Sequence, residues 1–167
     1  GAQKNIGPAG TTLIIINKDS IEKNAHLPTY LNYNTHIKKE SMFNTPPVFP
    51  IYVAMLTLKW IQSIGGLKQI EIKNKHKATK IYTEIDRNPL FVGLVKEDDR
   101  STMNATFDLK NENIKPLFEK MCLASGISGL SGHRSVGGYR ASMYNALNLE
   151  SVDKLIEIMQ ELEKKIS

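Results

Sequence analysis

The residues best equipped for chemistry sit in three loops. The first, GAQKNIGPAG at 1–10, carries Gln3, Lys4 and Asn5 among small residues. A lysine amine held on a rigid turn can attack a carbonyl carbon, and Gly7, Pro8 and Gly10 punctuate the backbone strongly enough to make such a turn. The plain alternative for Lys4 is a solvated surface charge. The second loop, SMFNTPP at 41–47, places Asn44 and Thr45 just before a helical pattern. Capping is the ordinary task of such residues, with Thr45 as the cap and Pro46 or Pro47 in the first turn. A helix N-terminus is also a place where a phosphate binds. The third loop, SGISGLSGHRSVGG at 125–138, carries His133 and Arg134, and Arg140 lies on the strand that follows. Glycine density beside a basic pair permits close approach to an anion, although a loop histidine most simply makes one structural hydrogen bond. An arginine alternating with apolar residues is costly if it faces a core and acceptable if it faces a cleft that holds an anion.

The elements that must position these groups read as follows. A β-branched apolar run at 11–16 (TTLIII) predicts a buried strand pinning the first loop. Residues 17–20 form a turn, and 21–40 a short helix with an extended loop. A helix over 47–64 sets Ile51, Ala54, Met55, Leu58 and Ile61 at helical spacing and stops at Gly65-Gly66. A second helix over 67–86 has Ile70, Ala78, Ile81 and Ile85 as its apolar stripe, with its many Lys and Glu as a solvated face. Strands over 91–95 and 103–109 flank a charged turn, KEDDRS. A helix at 111–124, capped by Asn111 or Asn113, a strand at 139–144 and a helix at 149–165 complete the chain. The last helix carries Val152, Leu155, Ile156, Met159 and Leu162 on one face. From the glycine pair onward this order predicts an α+β sandwich, helices packed on a small, mostly antiparallel sheet.

Composition narrows the function. With 167 residues, 41% apolar and 23% charged, the chain can bury a core of one domain with a sub-domain attached. A net charge of +5 points to anionic partners. No dense Lys/Arg block interleaved with aromatics appears, which argues against nucleic acid. The single cysteine, Cys122, excludes an intrachain disulfide framework and suits a reducing compartment; in its apolar helical run it is expected to be buried and inert. The four histidines are scattered, so no metal site is expected, and no apolar run is long enough for a membrane span. The chain has no initiator methionine and opens inside a loop, so upstream sequence is expected.

The three loops together resemble a known family. The segment GAQKNIGPAG looks like the lysine loop of phosphoserine aminotransferases. SMFNTPP, with Ile51-Tyr52 after it, resembles that family's cofactor-phosphate segment. SGHRSVGGYRASMYNA at 131–146 resembles its substrate-anion segment. The resemblance implies the C-terminal part of an α/β, fold type I, pyridoxal-phosphate-dependent transferase. The tail of the large cofactor domain would be 1–66, and the small α+β domain 67–167. It implies a cytoplasmic homodimer of serine biosynthesis that exchanges an amino group between phosphoserine and 2-oxoglutarate, with 3-phosphohydroxypyruvate and glutamate on the other side. By the same resemblance Lys4 is the catalytic lysine that holds pyridoxal 5'-phosphate, and Gln3 a cofactor contact. Asn44 and Thr45 would reach the cofactor phosphate of the neighbouring subunit. Arg140 would bind the substrate α-carboxylate, and His133 and Arg134 its phosphate or distal carboxylate. Family members are about twice as long, so an N-terminal half bearing the rest of the cofactor site is expected to be missing. The chain alone is then expected to be inactive, with residues 1–45 either paired by another chain or poorly ordered. The alternative is a stand-alone, non-catalytic module of the same fold that binds anions or dimerises.

Overall fold

The computed structural model describes residues 1–21 and 26–166. They fall into two compact units, Gly1–Ser63 and Ile64–Ser167.

The first unit begins with the lysine loop. The Ala2 N–H donates to the Thr11 carbonyl at 2.9 Å, and the Ala2 carbonyl accepts from Ile6 and Gly7 at 3.2 and 2.8 Å, closing a turn around Lys4. Two glycines are required here. A Cβ on Gly7 would lie 3.2 Å from both Cα and Cβ of Ala54, and Gly10 has φ +105°, where an L side chain is strained. A short 3-10 turn, Lys18–Ser20, is capped by the Asn17 side chain accepting from Asp19 N–H. Another follows at Thr29–Leu31, then helices α1 (Tyr33–Lys38) and α2 (Val48–Ser63). Part of the short helix and loop expected over 21–40 lies outside the described residues.

Three expectations fail in this unit. Residues 11–16 form no strand, and Leu13, Ile14 and Ile15 are exposed, Ile15 by 92%. A strand needs a ladder partner, and none of the described residues supplies one. Thr45 does not cap α2. That helix starts at Val48, so Pro47 holds the capping position and its carbonyl accepts from Ile51 N–H at 3.3 Å. Of the expected stripe only Ala54 and Ile61 are buried, while Ile51, Met55 and Leu58 are exposed. Val48, Phe49, Tyr52 and Leu56 are exposed as well, so α2 is apolar around its whole circumference and largely uncovered.

The second unit has a conventional core. Helix α3 (Gly66–Arg87) leads to β1 (Phe91–Gly93), β2 (Asn104–Leu109), α4 (Lys115–Ala124), β3 (Tyr139–Ser142) and α5 (Leu149–Ile166). The sheet has the order β1-β2-β3 and both pairings are antiparallel, with Phe91 opposite Leu109 and Phe107 opposite Tyr139. Alternation along β2 turns Ala105, Phe107 and Leu109 into the core. Phe91, Phe107, Phe118 and Tyr139 form an aromatic cluster with ring centroids 5.2–5.8 Å apart. Ile81 and Ile85 of α3 and Val152, Leu155, Ile158, Met159 and Leu162 of α5 close over it. Asn111 caps the 3-10 turn that opens α4, accepting from Asn113 N–H at 3.0 Å. Cys122 is buried, and burial pushes its thiol up to about 11.

One feature of α3 departs from the expected solvated charge. Asn74, Lys77, Glu84 and Asn88 are buried alongside Ile70, Ala78, Ile81 and Ile85. Their spacing of three and four residues puts them on the core side, where each polar group must find a partner.

Candidate active site

The candidate residues divide between the units. Gln3 and Lys4 are exposed on the turn that Ala2 and Thr11 hold closed. Asn44 and Thr45 are exposed in the segment before α2 and line a cavity of about 660 Å³ within the first unit. Gln3 and Lys4 are not in its wall. Thr11, His36 and Ser41 are, and none of these three was among the residues chosen from the sequence. The Thr11 hydroxyl oxygen is buried with no hydrogen-bond partner among the described residues. Glu40 and Ser41 have φ of +49° and +65°, unusual for residues with side chains and a local strain beside Asn44. His36 is committed to the Tyr30 carbonyl, 2.8 Å from its Nε2. A left-handed pair and an orphan threonine hydroxyl have no sequence signature, which is why spacing alone misses them.

In the second unit His133 opens a tight turn. Its carbonyl accepts from Val136 and Gly137 at 2.9 and 2.8 Å, and its Nδ1 lies 2.7 Å from the Ser135 hydroxyl. His133 and Arg134 are both exposed. Arg140 sits on β3 opposite Thr106, and its N–H donates to the Leu130 carbonyl at 2.6 Å. Tyr139 and Ala141 face the core, so strand alternation puts Arg140 on the other face, where it is half-buried. Its Nε is buried without a partner among the described residues, and the residue lines a cavity of about 620 Å³ together with Ser128, Met143 and Glu150. His133 and Arg134 do not line that cavity. A half-buried guanidinium with an unused donor is ready for a carboxylate.

A family model for class-V aminotransferases matches residues 1–155. The chain belongs to the class-V aminotransferase family. Over 167 residues the chain is 60% identical to the phosphoserine aminotransferase of Flavobacterium psychrophilum, covering 99% of this chain and 47% of that protein. It is 51% identical over 168 residues to that of Porphyromonas gingivalis, with 99% and 47% covered. The solved phosphoserine aminotransferase from Bacillus circulans subsp. alkalophilus superposes with a TM-score of 0.95 at 44% identity, over 100% of this chain and 47% of that one. The PLP-bound phosphoserine aminotransferase from Trichomonas vaginalis gives 0.76 at 40% identity, over 82% and 39%. The chain thus spans about half the length of the curated relatives it matches.

The donor set suits the family's cofactor. Hydroxyls of Thr11, Ser41 and Thr45 and the amide of Asn44 share one cavity wall, and the unpartnered Thr11 oxygen is a polar atom left over for a ligand. Such neutral donors near a helix N-terminus match a phosphate. Among the described residues no single helix is long and apolar enough to cross a membrane.

Proposed function

We infer that the protein carrying this chain is a phosphoserine transaminase that uses pyridoxal 5'-phosphate, and that these residues form its C-terminal half. The reaction exchanges an amino group between phosphoserine and 2-oxoglutarate, yielding 3-phosphohydroxypyruvate and glutamate, and running the other way in serine biosynthesis. The observation that carries the reading is the 60% identity, over nearly the whole chain, to a relative of that name. On this reading residues 1–66 are the end of the cofactor domain and 67–167 a small domain. The enzyme works as a cytoplasmic homodimer.

Each role follows from the chemistry of the side chain. The cofactor, when bound, supplies the electron sink at the substrate α-carbon. Lys4 would hold it through Nζ, and the same amine nitrogen is suited to carry a proton at the substrate α-carbon. Gln3 steadies the cofactor next to Lys4. Asn44 and Thr45 donate to the cofactor phosphate of the neighbouring subunit, so each site needs two copies. Arg140 holds the α-carboxylate with its planar fork, and the unpartnered Nε is available for that bond. His133 and Arg134 receive the phosphate of one substrate or the distal carboxylate of the other. The turn at His133 leaves both side chains exposed for this. The net charge of +5 suits substrates that are polyanions.

The test is a coupled transamination assay on the full-length protein and its Lys4→Ala variant. Turnover with phosphoserine and 2-oxoglutarate, lost by at least about a thousandfold in Lys4→Ala, is expected for a nucleophile and proton carrier. Borohydride should also fix the cofactor covalently to the wild-type protein and leave it dissociable in the variant. Turnover that survives in Lys4→Ala overturns the assignment. The 167 residues by themselves are expected to give negligible turnover, because they span about half of each active relative.

A further inference from the structure

Lys77 is a buried cation with no carboxylate. It is 3% exposed and makes no ion pair among the described residues. Its Nζ donates to three backbone carbonyls, those of Met143, Tyr144 and Leu147, at 3.1, 2.8 and 3.1 Å. That uses every hydrogen of an ammonium. One turn earlier on α3, Asn74 donates from Nδ2 to Asn145 Oδ1 at 2.8 Å. Two residues of one helix therefore grip the segment 143–147.

The arrangement is expensive. Burial, with a smaller contribution from the charge of Lys73, holds the Lys77 ammonium below the ordinary lysine range. A methionine would fill similar space without that cost. What the ammonium provides is convergence: three carbonyls that would otherwise repel one another are drawn to a single point. Glu84 and Asn88, the other buried polar groups of α3, are satisfied by Arg87, Gln160 and the Met159 carbonyl, and they tie α3 to α5 instead.

The gripped segment is the exit of β3. Met143 N–H donates to the Met103 carbonyl at 2.7 Å, the last backbone bond after the β2–β3 ladder, and the Tyr144 hydroxyl donates to Asn104 Oδ1 at 3.3 Å. Arg140 lies three residues earlier, on a strand that pairs with β2 on one side and is bonded on the other by the Ser131–Tyr139 bridge and by its own N–H to the Leu130 carbonyl. Beyond Arg140 no backbone bond holds that second side among the described residues, so the exit of the strand depends on β2 and on what grips 143–147. Met143 also lines the cavity that Arg140 lines.

We propose that Lys77 is a positioning residue for Arg140: by gathering the 143–147 carbonyls it fixes the exit of β3 and holds the guanidinium where an anionic substrate must meet it. This rests on the reading of Arg140 as the carboxylate-binding group. Lys77 touches no substrate.

The experiment is a double-mutant cycle in the full-length holoenzyme, with KM, kcat and cofactor absorbance measured for phosphoserine and for 2-oxoglutarate. Lys77→Met is expected to raise both KM values by about three- to tenfold, as a sub-ångström displacement of a positioning group does, with kcat and the cofactor spectrum little changed. Arg140→Met should raise them further. In the Arg140→Met background Lys77→Met should add nothing. If Lys77→Met lowers only thermal stability and leaves KM unchanged while Arg140→Met raises it, the proposal is overturned and the Arg140 reading stands. Additive effects in the double variant also overturn the proposal. If Arg140→Met leaves KM unchanged, the reading itself falls and takes the proposal with it. Should Lys77→Met fail to fold, Asn74→Ala loosens the same grip more mildly. It should raise KM in the same direction only when Arg140 is present, and an unchanged KM overturns the proposal.

Discussion

The two units use similar residues to opposite effect. In Ile64–Ser167 the apolar residues meet one another: Phe107, Phe118, Ile81 and Met159 are fully buried in one continuous core. In Gly1–Ser63 the buried apolar residues among those described are Ala2, Ala54 and Ile61, while Leu13, Ile14, Ile15 and most of α2 are exposed. The difference is not hydrophobicity, because 11–16 is as apolar as any strand of the second unit. It is the presence of a complementary surface. A strand releases the cost of its backbone groups only in a ladder, and an apolar helix its side-chain area only against another layer. The second unit contains its own layers. The lysine loop, by contrast, is ordered by three local hydrogen bonds and by the close contact of Gly7 with Ala54.

The sharpest way to break this comparison is paired truncation. Phe107→Ala in the 167-residue chain should cost about 3–5 kcal/mol, because it opens a cavity at a site that is 0% exposed. Ile15→Ala, at 92% exposed, should stay within about 0.5 kcal/mol. Equal losses in a denaturant titration would refute the contrast.

A smaller effect is expected at Glu84, and it depends on pH. Burial opposes ionisation of this carboxyl, but hydrogen bonds from Arg87, Asn88 and Gln160 outweigh it and hold the group below its ordinary 4.5. A carboxylate with a lowered folded value stabilises the fold fully above that ordinary value and loses the contribution as pH falls through the folded one. The second unit should therefore weaken below about pH 4.5. Glu84→Gln should cost about 1–3 kcal/mol at neutral pH and flatten that dependence. A wild-type acid profile retained in the variant would assign the transition to other groups.

Hydrogen exchange reads the comparison without mutation. None of the described residues accepts a backbone bond from the N–H groups of 12–16, whereas those of β2 lie between two strands. The former should exchange on the timescale of free peptide and the latter only on global unfolding. Protection of 12–16 in the isolated chain would reveal a partner for that segment. Least in size, Cys122 should resist alkylation at pH 7, since burial raises its thiol to about 11, and should react only when the second unit unfolds. Rapid labelling of the native chain would contradict its burial.

Much of the second unit was legible before any coordinates. The stripe of Ile70, Ala78, Ile81 and Ile85, the strand over 103–109 and a cap at Asn111 or Asn113 are local patterns, and the structure has the stripe buried, a strand at Asn104–Leu109 and Asn111 as the cap. The buried Lys77 and Glu84 were not legible, because a charge on the core side of a helix looks like any other charge until its partners, tens of residues away, are in place. Arg140 is half legible: its place on a strand is in the sequence, but only the fold shows which face it takes and that its Nε is buried and unpartnered. In the first unit the strand at 11–16 was read from propensity, and propensity cannot supply the neighbour that makes a strand.

The sequence by itself determined the family, the candidate residues Lys4, Asn44, Thr45, His133, Arg134 and Arg140, and the order of elements after Gly65-Gly66. These depend on residue types and short spacings. Tertiary structure alone decided which of two equally apolar regions has a core. It alone placed the Thr11 hydroxyl beside Asn44 and Thr45, and carried the three carbonyls of 143–147 to a single ammonium. Those depend on contacts between distant parts of the chain, which burial of apolar surface and the cost of unpaired polar groups favour and no local pattern records.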